Sequence, residues 1–562
     1  MPEAGFQTNS QSNNIADIYP LSPMQEGILF HSVAAPASGQ YMPQTALRIS
    51  GEVDEGALKM AWQQTVDRQP VLRSGFYWEE RDEPFQIVFR SLPLPWSVLD
   101  WSAVEKDKHE AMLSDLFASN RKTPFDLKRP PLLRVQWIVT GPGEHILVVS
   151  YHHIILDGWS IRQLLEEAML LYRRFSGLPA RALAAARPYS DYIGWLRKQD
   201  HAASLEFWRT YLSGSPSPTR LLRDDTGGGF ARHEWICPEE LFRSLNRLCE
   251  TSGCTMNTVL QCALGLLIAR QTGRTDLIFG TTTAGRPGTL AGATAMIGLF
   301  INTVPVRIVF EPGRTLETWL QDHQRRQAAT IDHEYVPLRR IQGSGEALFD
   351  TLLVVENFSS QTAEADGLPF RANSIDFDEQ THFPLTIWAI PKTGSLTILI
   401  GHSRDAVAPN AVAALVTALS GILSDMARCP DEPLAMHLGR IDDRPIGTDF
   451  ADANDQPSAR DAASLSPGAR ATEALTATET TVSRIWAELL RTGAVGRNAN
   501  FFELGGHSLL AARVVSRLRS ELSLELPVRT LFDKPVLSDL AAHIDGMRRE
   551  FETVAGHVEV TI

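Results

Sequence analysis

Between Leu133 and Tyr172 the sequence leaves few folds open. Leu133, Val135, Trp137 and Val139 alternate along one face of an extended segment, Gly141-Pro142-Gly143 turns the chain, and Ile146 to Tyr151 resumes as a β-rich run, so the pair reads as a hairpin. Two adjacent histidines, His152 and His153, stand at the end of its second strand and are followed by Ile154-Ile155-Leu156-Asp157-Gly158-Trp159-Ser160. Ser160 with Gln163 three residues on has the form of a capping box, and Leu164, Leu165, Ala168, Leu171 and Tyr172 share one helical face. The helix is therefore expected to start at Ser160. His153 and Asp157 would then lie on a strand-to-helix loop, where a rigid scaffold presents reactive side chains.

The flanking sequence supplies partners for this unit. Ser22, Pro23 and Gln25 suit the cap and first turn of a helix, Ala57 to Gln69 reads as another, and Arg68 to Phe76 leads into a strand. A second set of elements follows: helical stretches around Tyr189 to Leu212 and Leu241 to Arg270, strands at Asp276 to Gly280, Leu348 to Val354 and Ser395 to Gly401, and a closing helix from Asn410 to Ala427. This is an α/β pattern with mixed sheets, divided near residue 180 into lobes 1–180 and 181–440. Residues 441–475 shift to Asp, Ala, Ser, Pro and Gly with almost no aromatics and read as a flexible linker. Order returns with a Thr476–Glu479 capping box, and apolar residues at helical spacing after Ala477, Ser508 and Val536 mark a small bundle over 476–546. Residues 547–562 remain as a tail, either a docking segment for a partner or a disordered end.

Several function classes fall away. A formal net charge of −13, with no Lys/Arg cluster interleaved with aromatics, argues against nucleic acid. The longest nearly apolar run, Thr258 to Ala269, is short of the roughly 20 residues a bilayer needs, and Met1 to Asn14 lacks an apolar signal core. No membrane partner and a cytoplasmic location are expected. The five cysteines show neither C-x-x-C spacing nor a paired histidine, so no metal site is expected. No phosphate-binding glycine loop occurs, and the chemistry is expected to start from an already activated substrate.

The stretch His152-His153-x-x-x-Asp157-Gly158 resembles the signature of nonribosomal peptide synthetase condensation domains. Tyr19-Pro20-Leu21-Ser22-Pro23-Met24-Gln25, Arg68 to Phe76, Pro124-Phe125-Asp126-Leu127, Gly285-Arg286-Pro287 and Gly298-Leu299-Phe300-Ile301-Asn302-Thr303 match that family in the order it requires, over roughly residues 15 to 440. Asn500-Phe501-Phe502-Glu503-Leu504-Gly505-Gly506-His507-Ser508-Leu509-Leu510 resembles the signature of a peptidyl carrier domain, with Asn498-Ala499 where members often carry acidic residues. The resemblance implies two chloramphenicol-acetyltransferase-like lobes in a V, a C-terminal four-helix carrier bundle, and 4′-phosphopantetheine covalently attached to Ser508. Ser508 opens a helix, where exposed N–H groups suit a phosphodiester.

The reaction so implied joins a donor acyl thioester to the α-amine of an acceptor, and the amine must be neutral to attack. Imidazole, with an ordinary pKa of about 6.5, suits that proton transfer, and the family pattern places it at His153, as general base or as a hydrogen-bonding positioner. His152 would point to the opposite face if the strand continues, which favours a packed structural role. Asp157 either orients a histidine or fixes the loop through an arginine such as Arg286, and Gly158 is a candidate for holding the acceptor or the tetrahedral oxyanion. Arg68 and Arg73 are read as structural partners, carrier-docking groups or solvated surface charges. The subtype resembles one taking a D-ended donor and an L-acceptor. The expected partners are an upstream donor carrier, an adenylation enzyme acting in trans, a phosphopantetheinyl transferase and a downstream synthetase protein. Condensation with a free amine or alcohol, epimerisation, and non-catalytic carrier docking are the rival readings.

Overall fold

The computed structural model describes residues 14–36, 38–79, 83–215, 218–222, 229–343, 347–356, 368–392, 394–404, 407, 409–440, 475–490, 492–501, 504, 508–522, 524, 526, 530–531 and 534–555. The expected linker therefore lies almost wholly outside the described residues. The strands, in chain order, are β1 (Ile15–Pro20), β2 (Gln44–Gly51), β3 (Ser74–Tyr77), β4 (Phe85–Phe89), β5 (Trp96–Asp100), β6 (Leu133–Gly141), β7 (Glu144–Tyr151), β8 (Phe230–Ile236), β9 (Asp276–Thr283), β10 (Asn302–Val309), β11 (Thr351–Val355), β12 (Phe370–Asp378), β13 (Leu385–Lys392) and β14 (Ser395–Ser403). The helices that carry the argument are α1 (Pro23–Ala34), α2 (Glu55–Arg68), α3 (Gly158–Phe175), α4 (Glu239–Ser252), α5 (Met256–Thr272), α6 (Pro409–Arg428), α7 (Ala477–Leu490), α8 (Ser508–Leu522) and α9 (Leu537–Ala555).

The first lobe is built on a five-stranded sheet in the order β12-β2-β7-β6-β5. The β6–β7 hairpin closes as the sequence predicts, pairing Leu133 with Tyr151 and Trp137 with Leu147 around Gly143, whose φ of +67° only glycine adopts cheaply. One face packs Leu133, Val135, Trp137, Leu147 and Val149 with residues of α2 and α3, while the other packs Ile138, Ile146 and Val148 against Leu113 and Phe117. Covering both faces explains why Ile146 to Val149 is continuously apolar rather than alternating. The second lobe has a six-stranded sheet, β10-β9-β11-β13-β14-β8, faced by α4, α5 and α6. Helix α6 is long and apolar enough to approach a membrane span, but Ala411, Leu415, Leu419, Ile422 and Met426 spend that face in the core.

Three readings change. The stretch Tyr189 to Leu212 is two helices, and so is Leu241 to Arg270, where Gly253 ends α4 in the left-handed region and Thr255 caps α5. The division near residue 180 is crossed by the chain: β12, deep in the second half, pairs antiparallel with β2 as the edge of the first lobe's sheet. Met296, Ile297, Leu299 and Phe300 likewise belong to the first lobe's core. Strand β10 begins just after them, at Asn302. Chain order thus hides a physical tie between lobes, made because an edge strand left unpaired exposes a row of N–H and C=O groups.

The C-terminal unit packs Val482, Ile485, Trp486, Phe501, Val514, Leu518, Leu537 and Ile544 into a separate small core. Its first helix is capped as expected, the Glu479 carboxylate accepting from the Thr476 N–H and the Thr476 hydroxyl accepting from the Glu479 N–H. Among the described residues it shows α7, α8 and α9, with helical positions Thr530 and Leu531 between α8 and α9. Helix α9 runs to Ala555, so the expected tail begins inside a helix, and 556–562 lie outside the described residues.

Candidate active site

Strand β7 ends at Tyr151, and the chain turns at once. The premise that His152 continues the strand therefore fails, and both histidines are buried. His152 is spent locally: its Nδ1 accepts from the Ile154 N–H, and its Nε2 meets the Ser32 hydroxyl of α1 at 3.2 Å. Burial, with His153 beside it, pushes its pKa down to about 3, which keeps the ring neutral.

His153 is held differently. Its N–H donates to the Tyr41 carbonyl at 2.8 Å, and its Nδ1 donates to the Leu156 carbonyl at 2.7 Å. A carbonyl only accepts, so Nδ1 carries the proton and Nε2 is the reactive nitrogen. Nε2 lies 3.2 Å from Oε1 of Glu379, in the segment that leads from β12 back to the second lobe. Burial works against charge on this ring, but the hydrogen bond and charge of Glu379, aided by Asp157, outweigh it and raise the pKa above the ordinary histidine value.

Asp157 is the N-cap of α3, its Oδ1 accepting from the Ser160 N–H at 2.7 Å. The cap therefore stands three residues before the expected Ser160 cap. Ser160 turns its hydroxyl outward from the helix end to the Gly298 carbonyl and the Arg286 guanidinium, and Gln163 donates to the Thr294 carbonyl. Asp157 Oδ2 accepts from the Phe300 N–H at 2.8 Å, and Arg286 lies 3.2 Å from Oδ1. Arg286 also donates to the Ala293 and Met296 carbonyls and stacks on Phe300. Of the two readings of Asp157, the structure makes the loop-fixing one: its carboxylate clamps the histidine loop to the 284–300 segment, and its hydrogen-bond partners among the described residues do not include a histidine. Gly158 is the first residue of α3, where N–H groups lack intrahelical partners.

Arg68 pairs with Glu167 at 2.8 Å, and buried Arg73 donates to the Val66, Asp67, Phe89 and Arg90 carbonyls, so both are structural partners. Helix α1 underlies the loop: Gln25 caps its own N-terminus with Ser22 and donates from Nε2 to the Ile154 carbonyl. Sequence reasoning missed Glu379, Tyr41 and Ser32. Tyr41, at a φ of +59°, is the described non-glycine residue in the left-handed region, and no local signal announces it.

Ser508 is the first residue of α8, a helix of 15 residues, in whose opening turn N–H groups lack intrahelical partners. Residues 505–507 lie outside the described residues. On the side away from Gln25, Phe30, Val33 and Ala34 of α1 pack against the C-terminal unit, and α1 lies against α8.

Residues 15–438 match the model of the condensation domain, and residues 480–544 that of the phosphopantetheine attachment site. One linear gramicidin synthase protein of Brevibacillus parabrevis is 32% identical over 437 residues, covering 75% of this chain and 6% of that protein. A second protein of the same synthase is 35% identical over 432 residues, 75% of this chain and 8% of the relative. The chain thus spans less than a tenth of the length of these relatives. In structure, the first condensation domain of the calcium-dependent antibiotic synthetase superposes with a TM-score of 0.65 at 19% identity, covering 75% of this chain and 98% of that one. The condensation domain of a monacolin K polyketide synthase gives 0.66 at 18% identity, over 75% and 100%. The two matched models span both lobes and the C-terminal unit, and the chain belongs to the condensation-domain family of nonribosomal peptide synthetases, followed by a phosphopantetheine-attachment carrier domain.

Proposed function

We propose that this chain forms an amide bond between a donor acyl thioester and the amine of an acceptor held on its own carrier domain. The observation that carries the reading is the state of His153: buried, locked by Leu156 into the tautomer that frees Nε2, and facing the segment where the second lobe's chain crosses to the first. An acceptor amine beside Nε2 can give up a proton there as its lone pair attacks the thioester carbon. The first-turn N–H groups of α3, beginning at Gly158, are placed to receive the developing oxyanion. Asp157 and Arg286 hold the loop in register with 284–300, so orientation is established before substrate arrives.

Ser508 is the attachment serine in this reading. Bound phosphopantetheine supplies a thiol that carries the amino acid as a thioester. The packing of the carrier on α1, whose other end supports the histidine loop, favours the resident carrier as acceptor. Only residues 439–479 separate the two matched domains, too few for an intervening adenylation domain; we assign loading to an adenylation domain elsewhere, after modification by a phosphopantetheinyl transferase. The donor arrives on another carrier and ends in a D-residue, as the resemblance to that subtype implies. Intact-protein mass spectrometry tests the reading: the chain, loaded with an aminoacyl group at Ser508, is mixed with a carrier bearing a D-ended peptidyl thioester. Mass growth on Ser508, lost in His153→Ala, is expected. Growth that survives His153→Ala would refute the role of His153, and growth only on added free amine or alcohol would reassign the acceptor.

A further inference from the structure

The site holds a carboxylate that the reaction as described leaves without a task. Asp157 is neutralised by Arg286, but Glu379, whose side chain is 13% exposed, has His153 as its ion-pair partner among the described residues. The contact is chemically conditional. Because Nδ1 already donates to Leu156, a neutral His153 presents a lone pair at Nε2, which repels a carboxylate; one proton must lie between Nε2 and Oε1. Placed on Nε2, that proton makes His153 an imidazolium, consistent with its raised pKa, and an imidazolium cannot accept the acceptor's proton.

The position of Glu379 is built rather than incidental. Three residues later, His382 Nδ1 is 2.6 Å from the hydroxyl of Tyr41, the same residue whose carbonyl takes the His153 N–H. One residue earlier, Asp378 is ion-paired with Arg121 of the first lobe. Tyr41, in its left-handed conformation, thus holds the histidine from one side and the Glu379 segment from the other. The remaining titratable groups around the pair are Asp157, Glu356 at the end of β11, Tyr41, Tyr151 and His152. Glu356 is driven toward its neutral form by burial and by the charges of Glu379 and Asp157, which leaves Glu379 as the carboxylate facing Nε2.

We propose that Glu379 receives the α-ammonium of the acceptor and holds its nitrogen beside Nε2 of His153. This rests on the amide-forming reading given above. His153 first releases its Nε2 proton to solvent as the ammonium takes its place against the carboxylate. The ammonium then passes one proton to Nε2, and the neutral nitrogen's lone pair forms the C–N bond to the donor carbonyl carbon. The C–S bond breaks with its electron pair going to sulfur, the nitrogen's second proton neutralises the thiolate, and Nε2 returns its proton to solvent. A neutral alcohol can donate a hydrogen bond to Glu379 but brings no charge to pair with it, so the carboxylate favours amines.

Binding tests this without knowledge of the donor or of the acceptor's side chain. The full chain in its unmodified form is titrated calorimetrically with two pantetheine amides, one ending in a glycyl group and one in a glycolyl group, which differ in bearing an ammonium or a hydroxyl. The wild type should prefer the glycyl probe by about ten- to a hundredfold, the range of a hydrogen bond to a charged group. Glu379→Gln should bring the two within twofold, chiefly by weakening the glycyl probe, and Glu379→Asp should retain part of the preference. In the wild type itself the preference should shrink as pH rises past about 8, where an α-amine loses its charge. Equal binding of both probes by the wild type, no measurable binding of the glycyl probe, or a preference that survives Glu379→Gln would each overturn the assignment. Condensation lost in His153→Ala, seen alongside any of those results, would leave the amide-forming reading standing and remove Glu379 alone.

Discussion

Asp157→Ala separates a structural clamp from a catalytic triad. In the wild type the Asp157 carboxylate is fully buried, accepts from the Ser160 and Phe300 N–H groups, and faces an Arg286 side chain only 3% exposed. Breaking a buried pair from one side strands the other charge and costs about 3–5 kcal/mol. Loss of the N-cap would add about 1 kcal/mol in isolation. Arg286 keeps the Ala293 and Met296 carbonyls and the Ser160 hydroxyl as partners, so its stranded charge is partly solvated, and we expect a total of about 4 kcal/mol. Arg286→Leu strands the carboxylate with two N–H donors and should cost about 3 kcal/mol. The double variant removes both charges, so its cost should fall short of the sum by about 2 kcal/mol or more. Urea unfolding followed by tryptophan fluorescence, compared at constant m, reads all three. A cost below about 1 kcal/mol for Asp157→Ala, or additivity in the double variant, would refute the clamp. The catalytic side is equally exposed to refutation. A triad aspartate replaced by asparagine loses about 10⁴ in rate, whereas here Nδ1 of His153 is committed to Leu156, so Asp157→Asn should lose activity only in proportion to its loss of folded protein.

The raised pKa of His153 ties stability and turnover to one pH window in opposite senses. A group whose pKa is higher folded than unfolded contributes fully below the unfolded value of about 6.5 and loses that contribution as pH rises through the folded value. The same deprotonation frees Nε2, so condensation rate should rise with pH above about 6.5 while the urea midpoint falls; both moving together would contradict the His153–Glu379 pair. Gly285→Ala probes the facing segment. Gly285 sits at φ +59°, and a Cβ there would run into the Phe300 carbonyl, so the left-handed backbone alone costs about 1–2 kcal/mol and the collision adds to it. A melting temperature equal to wild type would show that 284–300 does not hold the conformation on which Asp157 and Arg286 depend.

Those features that depend on neighbours in sequence were legible. The β6–β7 hairpin followed from alternation and a glycine turn, the cap and first turn at Ser22, Pro23 and Gln25 from residue type, and the Thr476–Glu479 capping box from the reach of one side chain to an N–H three residues away. The same rule misread Ser160 and Gln163, because Asp157 stands three residues before Ser160 and is the stronger acceptor at that N–H. The displaced Ser160 hydroxyl then became free for Gly298 and Arg286. His152 was misplaced for a related reason: a strand's two-residue period predicts a face only while the strand lasts, and β7 stops at Tyr151.

What the sequence hid is the half of the site that comes from elsewhere. His153 and Asp157 are close in the chain, but each finds its decisive partner in the second lobe's sequence, Glu379 and Arg286. Arg286 lay in a recognisable stretch, Gly285-Arg286-Pro287. Glu379 follows a strand whose first-lobe pairing no alternation pattern specifies, because β12 joins β2 at a sheet edge after a long excursion through the other lobe. The crossover gives that edge strand a purpose beyond hydrogen-bond satisfaction. Pairing β12 with β2 brings the residue after Asp378 to the end of β7, and β7 delivers His153 to the same place through β2's other neighbour. A change in β2–β12 register would therefore be felt as a change in the distance between Nε2 and Oε1, and through it in the charge of His153, even though neither residue lies in the strands that moved.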